Sequence, residues 1–284
     1  MTKPLFIWAG GKTKMIKHYE PLMPKKVDIY VEPFFGGGAM LLTVLKKYSP
    51  KQIIINDIND GIVNIYKAIR NEKDYFLEEL NIISDMFLSL DIQQRKQFFF
   101  EVRHKHAYDY VEWSKVKEAA TLYFLMKTGF NGIFQINKNT NGRFGTPAGL
   151  LNQTNKVFDL NVIEYWNDIL QTVEIFSGNW KNCISSSLDT DNTFFFFDPP
   201  YRGCFTSYGQ LFDDIAQTEL LDFCKNIKKS KFFLCNRDIN DNFFSNIEPL
   251  QIHTFPITYT AGRRKQTSEG YEAKKATEIL ICNT

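Results

Sequence analysis

Hydrophobic and polar positions along the chain follow two rhythms, one of short apolar runs closed by turns and one of helical spacing. The clearest run is Thr193-Phe194-Phe195-Phe196-Phe197, which ends at Asp198-Pro199-Pro200-Tyr201. It is too short for a helix and too apolar for a surface loop, so it predicts a strand buried on both faces, as in the middle of a helix-covered parallel sheet. Two prolines then rule out helix and ladder hydrogen bonds, leaving Asp198 at the carboxyl end of a central strand. Open α/β sheets keep their ligand crevice there.

The same rhythm predicts strands over Val27 to Phe34, Lys51 to Asp57, Thr172 to Phe176, Lys231 to Asn236, Gln251 to Tyr259 and Thr277 to Cys282. Helical patterns lie between them, around Met15 to Tyr19, Ala39 to Leu45, Asp60 to Arg70, Asp159 to Leu170, Gln217 to Lys229 and, briefly, Asn240 to Asn246. From about Asp60 to Ala120 the strand rhythm gives way to helical patterns of mixed charge, followed by a helix through Ala119 to Lys127. Thr128 to Pro147 then alternates apolar residues around an Asn- and Gly-rich tip, which predicts a hairpin.

Composition narrows the class. With 284 residues, 44% hydrophobic and 23% charged, the chain has the make-up of an ordinary globular protein able to bury a substantial core. A net charge of +2 does not announce a nucleic-acid binder, but a cleft can be positive in a protein that is neutral overall. No run of about 18 apolar residues occurs, so no membrane span is expected. Met1 to Pro4 lacks the features of a signal peptide. Five scattered cysteines and four histidines form no ligand pattern, so the expectation is reduced thiols, no metal and an intracellular, cytoplasmic setting.

Seven stretches carry candidate chemistry. The carboxylate of Asp198 and the carbonyl of Pro199 are two acceptors suited to an amino group, and Tyr201 offers a face to a planar ring; a plain Asp-Pro turn is the alternative. Gly10-Gly11-Lys12 can hold an anion against backbone N–H groups and an ammonium, or be a simple turn. Gly36-Gly37-Gly38 between a strand and a helix lets backbone approach a ligand closely, without the G-x-G-x-x-G spacing of a dinucleotide site. Asp57, ending the next strand, can accept both hydroxyls of a ribose, while it or Asn59 can cap the following helix. Lys138 and Arg143 in the amide-rich hairpin, and the basic stretch Ala261 to Lys275 with Arg263, Arg264 and Lys265, suit base edges and phosphates, as they would suit solvent. The loop from Gly203 to Leu211 could order over a substrate.

In their order these stretches resemble the DNA adenine methyltransferase (Dam) family. The match rests on Trp8-Ala9-Gly10-Gly11-Lys12, Glu32 to Ala39 with Phe34, Gly36 and Gly38, Asn56-Asp57-Ile58-Asn59, Gly129-Phe130-Asn131-Gly132, Asp198 to Tyr201 and Thr277 to Ile281. The resemblance implies the S-adenosylmethionine-dependent α/β fold, a mostly parallel sheet with an antiparallel last strand. Residues 1–59 and 158–284 would form the catalytic domain, and 60–157 an inserted, mainly helical target-recognition domain bearing a β-hairpin. S-adenosyl-L-methionine would be held by Trp8, Lys12, Phe34, Gly36, Gly38, Asp57, Ile58, Asn179, Trp180 and Asp198, with Lys12 meeting the methionyl carboxylate. Asp198, Pro199 and Tyr201 would receive the N6 amine of an adenine flipped out of duplex DNA. Phe130 and Asn131 would wedge into the space it leaves, with Gln135, Asn137, Lys138, Arg143, Arg263, Arg264 and Lys265 on the DNA.

Two departures temper that picture. Asn179-Trp180 stands where the family often shows Asp-Phe, and Gln135 where GATC-specific members tend to carry Arg; since Gln favours adenine and Arg guanine, GATC specificity is not assumed. The competing readings are methylation of RNA adenine or a protein glutamine, opposed by Asp198 heading the motif and by the hairpin, and a silent DNA-binding subunit, opposed by the intact pockets. A separate cognate restriction endonuclease is a partner the resemblance allows.

Overall fold

The computed structural model describes residues 3–8, 10–203, 212–245, 247–259, 265–267, 270–272 and 274–283, the side chains of 258–275 excepted. In chain order a short α1 (Ile16–Tyr19) precedes β1 (Ile29–Glu32), α2 (Ala39–Lys47), β2 (Gln52–Asp57) and α3 (Asp60–Asn71). Helices α4 (Lys73–Ser89), α5 (Ile92–Tyr108) and α6 (Lys115–Thr128) follow, then a small hairpin of β3 (Ile136–Asn137) and β4 (Arg143–Phe144). After α7 (Leu160–Leu170) come β5 (Val173–Ser177), β6 (Thr193–Phe197), α8 (Asp214–Asn226), β7 (Lys231–Asp238), β8 (Gln251–Tyr259), β9 (Lys265–Thr267), β10 (Gly270–Glu272) and β11 (Lys274–Cys282).

Seven strands form one sheet in the order β5-β2-β1-β6-β7-β11-β8. The first five are parallel, and β11 runs antiparallel to both its neighbours. The mostly parallel sheet with a reversed last strand is therefore present. From β1 the chain first builds outward through β2 and β5, then returns to lay β6 on the other side of β1. The carboxyl ends of β1 and β6 thus flank the switch point at which α/β sheets open a crevice.

Both faces of the sheet are covered, which is why β6 is apolar throughout. Phe194 and Phe196 share one core with Tyr19, Phe233 and Trp166, while Phe195 and Phe197 join Trp180, Phe232 and Leu234 on the other face. The first core continues without interruption into α4, α5 and α6 through Phe76, Phe87, Phe99 and Phe124.

Element ends depart from the sequence expectation for identifiable reasons. β1 stops at Glu32 because Pro33 has no N–H for the ladder. The helix expected over Asn240 to Asn246 does not form: Asn240 and Asn242 have φ of 59° and 60°, and the carboxylates of Asp238 and Asp241 accept N–H bonds two residues on. α8 starts at Asp214 because the side chain of Asp213 caps it through the Ala216 N–H. The hairpin strands are only two residues long, since Asn137 turns back at once to accept the Asn139 N–H.

Gly38 enters α2 at φ 71°, and a Cβ there would lie 2.5 Å from the Trp166 ring and 2.8 Å from Phe35. Gly38→Ala is therefore expected to lose about 2–4 kcal/mol, left-handed strain adding to overpacking. Equilibrium urea unfolding checks this; an unchanged midpoint would remove Gly38 as a constraint on the loop.

Candidate active site

The crevice is assembled from the ends of four strands. Past β1, the turn from Phe34 to Gly38 is shaped by Gly36 at φ 50° and Gly38 at φ 71°. Asp57, at the end of β2, holds it from below: one carboxylate oxygen accepts the Gly36 N–H at 2.8 Å, the other the Asn59 N–H at 2.9 Å. Tyr66 of α3 donates its hydroxyl to the Gly36 carbonyl. Burial raises Asp57 above the usual carboxylate range, and these backbone N–H groups work against that rise. Asn59 caps α3 through the Ile62 N–H, so the capping and pocket readings of this stretch both hold a place in the structure.

Trp8 leans over the same turn. A Cβ on Gly36 would come 2.6 Å from its indole, and its ring also packs against Phe134, whose centroid is 5.6 Å away. On the far side Asn56 donates to the carbonyls of Pro33 and Gly178, drawing the end of β5 alongside. Asn179 is exposed there, its side-chain oxygen accepting the Lys181 N–H. Trp180 departs from its expected place. It is 6% exposed and packed between Phe197 and Phe223 in the second core, so its ring is spent on packing and is not free to stack on a ligand.

Past β6 the prolines end the ladder as expected, and the segment is tied down by polar groups. Gln217 of α8 donates to the Pro200 carbonyl at 2.7 Å and is itself held by Asn236 of β7. Among the described residues no donor meets the Pro199 carbonyl. Arg202 is buried, makes a two-pronged pair with Asp214, reaches Asp241 and lies over the Phe243 ring. The loop from Gly203 to Leu211 lies outside the described residues beyond Gly203.

Asp198 is not free at the crest. Lys12 donates to its carboxylate at 2.7 Å and to the Gly10 carbonyl at 2.6 Å, and lies 4.0 Å from Glu278 of β11. The ammonium, 4% exposed, also sits over the Tyr201 ring, 4.8 Å from its centre. Lys12, expected to meet the methionyl carboxylate, lies here between two carboxylates of the protein itself. Burial lowers the pKa of the ammonium, but Asp198 and Glu278 outweigh that and raise it. Burial lifts Asp198 to about 6, against the pull of Lys12, with Glu278 adding to the rise. Glu32, at the end of β1, is pushed well above the ordinary range by burial and receives the Tyr30 hydroxyl.

Residues 8–256 match the family model described as D12 class N6 adenine-specific DNA methyltransferase. The chain belongs to that family. The Type II methyltransferase M.MjaIII of Methanocaldococcus jannaschii is 34% identical over 295 residues, covering 99% of each chain. M1.LlaDCHI of Lactococcus lactis subsp. cremoris is 27% identical, covering 99% of this chain and 95% of its own. A DNA adenine methylase of Haemophilus influenzae is 24% identical over 81% of this chain and 76% of its own.

In this adenine-specific DNA methyltransferase the expected DNA-side residues divide in two. Phe130 is 51% exposed, with Asn131 beside it at φ 54°; Gln135, Asn137 and Lys138 are also on the surface. Arg143 is turned the other way. Its guanidinium pairs with buried Glu118, stacks 3.5 Å from the Tyr110 ring and lies near His106, so it braces the hairpin against α5 and α6 and is not free for a phosphate. Arg263 and Arg264 lie outside the described residues, as does the side chain of Lys265. No helix among the described residues is long and apolar enough to cross a membrane, and no group of three metal-ligating side chains occurs among them.

Residues the sequence did not assign are Glu278, Tyr19, Gln217, Asn236 and Arg202. Only Glu278 lay in a recognised stretch; the others reach the site through tertiary packing, which spacing cannot show. Since Lys12 is the cation holding Asp198 charged, Lys12→Met is expected to raise the Asp198 pKa above about 6. Carboxyl carbon NMR titration measures it, and an unchanged or lower value would deny the pair its electrostatic role.

Proposed function

We propose that the cluster of Lys12, Asp198, Pro199 and Tyr201 is the catalytic centre for methyl transfer from S-adenosyl-L-methionine to the N6 amine of a flipped-out adenine in duplex DNA. The observation that carries it is Asp198 at the switch-point end of a buried strand, beside an acceptor carbonyl at Pro199 and the Tyr201 ring.

The residues present suit the cofactor. Lys12 is paired with the Asp198 carboxylate at 2.7 Å, so the crest presents no unpaired cation to repel a sulfonium. The glycine turn closes where a Cβ at Gly36 would fill the space against Trp8, and Asp57 stands under it with a spare lone pair on each oxygen for a ribose diol. Phe34, Ile58 and Asn179 are partly or fully exposed around that turn. S-adenosyl-L-methionine supplies an electrophilic methyl on a positively charged sulfur. Lys12 would hold its methionyl carboxylate, which would leave Asp198 to meet the amine.

The exocyclic amine is a poor nucleophile because its lone pair is delocalised into the purine. Its two hydrogens donate to the Asp198 carboxylate and the Pro199 carbonyl, which favours a tetrahedral nitrogen with its lone pair directed outward. Tyr201 carries the ring. The nitrogen must shed one proton as it gains the methyl, and a carboxylate with a pKa near 6 is placed to take it. A duplex hides this nitrogen, so the base is flipped, which costs about a few kcal/mol. Phe130 and Asn131 fill the gap, Lys138 and the stretch with Arg263, Arg264 and Lys265 meet phosphates, and Gln135 reads a base edge. Residues 60–157 form the target-recognition insert and 1–59 with 158–284 the catalytic part. The Type II names of the relatives support a role beside a separate restriction endonuclease.

Labelled methyl from S-adenosyl-L-methionine is expected to appear on adenine of duplex DNA, and Asp198→Ala to lower transfer by at least about 10²–10³-fold while DNA binding survives. Wild type that binds DNA yet transfers nothing would favour a silent DNA-binding subunit. The sign of the pH effect follows from Asp198, raised to about 6 by burial and needed as a carboxylate. The rate constant kcat/KM is expected to be level above about pH 6 and to fall about tenfold per unit below it; a profile flat to pH 5 would exclude ionised Asp198 as the acceptor.

A further inference from the structure

The last strand delivers a buried acid to this centre. Glu278 is 4% exposed in the middle of β11, opposite Arg237 of β7 and Phe255 of β8, so its backbone position is fixed from both sides. Its Oε1 accepts two hydroxyls, from Tyr19 of α1 and from Tyr201, both at 2.7 Å. Tyr19 is fully buried among Phe196, Phe233 and Phe255, and cannot follow a moving partner. One oxygen is therefore anchored by a rigid tyrosine and in turn anchors the tyrosine of the proposed base pocket.

Resting on the assignment of Asp198 and Tyr201 above, we propose that Glu278 is a positioning residue that fixes the Tyr201 ring through its hydroxyl, so that the ring presents the target base to Asp198 at one height and angle. Without the tether the ring would keep its packing, its place beneath Lys12 and its hydroxyl's interaction with Asp198, and would lose the anchor that holds it from outside the pocket. Among the described residues Glu278 meets the site through the Tyr201 hydroxyl and, at 4.0 Å, Lys12. An amide oxygen can accept the same two hydroxyls, so glutamine preserves the tether and removes the charge.

The test is steady-state kinetics on duplex DNA. Glu278→Ala is expected to lower kcat about 10- to 100-fold, as a misplaced ring would, with KM for DNA and for S-adenosyl-L-methionine each within about threefold of wild type. Glu278→Gln is expected to recover kcat to within about threefold of wild type, and Glu278→Ala added to Tyr201→Phe to cost less than about twofold more, because both changes remove one tether. Glutamine as impaired as alanine, or an alanine effect undiminished in the Tyr201→Phe background, overturns the proposal. Should Glu278→Ala fail to fold, Tyr201→Phe decides: a tenfold fall in kcat at unchanged KM supports the tether, and wild-type kcat overturns it. Asp198→Ala run alongside separates the two levels, since an active Asp198→Ala sinks the site assignment, whereas an inactive one beside wild-type Glu278→Ala sinks only the tether.

Discussion

An ammonium and a carboxylate 2.7 Å apart at the crest of a buried sheet set the terms for the whole site. Removing either charge from water is expensive, and a pair in such a place persists only when geometry and further hydrogen bonds offset that loss. Here the offset comes from every direction: Gly10 supplies a carbonyl, Glu278 a second carboxylate, and Tyr201 an aromatic face. Asp198 still emerges with its pKa raised, which means burial prevails on the acid while Lys12 stays charged. A carboxylate raised to about 6 is a better proton acceptor than one at the ordinary carboxylate value.

That balance explains the amount of structure devoted to stillness around it. The strand before Asp198 is four phenylalanines sealed on both faces, and the segment after it is pinned by Gln217, Asn236 and the paired Arg202. The glycine turn across the crevice is likewise tied to Asp57 and Tyr66. Both loops flank the switch point, so each can be shaped for a ligand without disturbing the ladder between them.

The sheet was legible because its signals are local: apolar runs, prolines after Phe197, glycines after Phe35, acids closing β2 and β6. The charge state of the site was not legible. Nothing in the spacing of Lys12, Asp198 and Glu278 says that they meet, since they are joined only when the turn before α1, the end of β6 and β11 pack. Trp180 and Arg143 show the same limit from the other side. Each has the residue type for a ligand contact, and tertiary packing used it elsewhere, Trp180 against Phe197 and Phe223, Arg143 against Glu118 and Tyr110. An aromatic or a guanidinium is as useful to a core as to a substrate, and sequence alone does not weigh the two.

Lys12 also gives the two halves of the crevice a reason to act together. It touches Asp198 and follows the Gly10-Gly11 turn, so on the proposed reading one ammonium would serve both base and cofactor. If a ligand carboxylate draws it away, Asp198 loses its partner just when an amine arrives to replace it. By reciprocity the amine, once bound, frees Lys12 for the ligand, and any preference of one site for the other's occupied state must be shared equally between them. Such a coupling would need no moving domain. It follows from placing a single cation where three carboxylates, two of the protein and one of the ligand, have a claim on it.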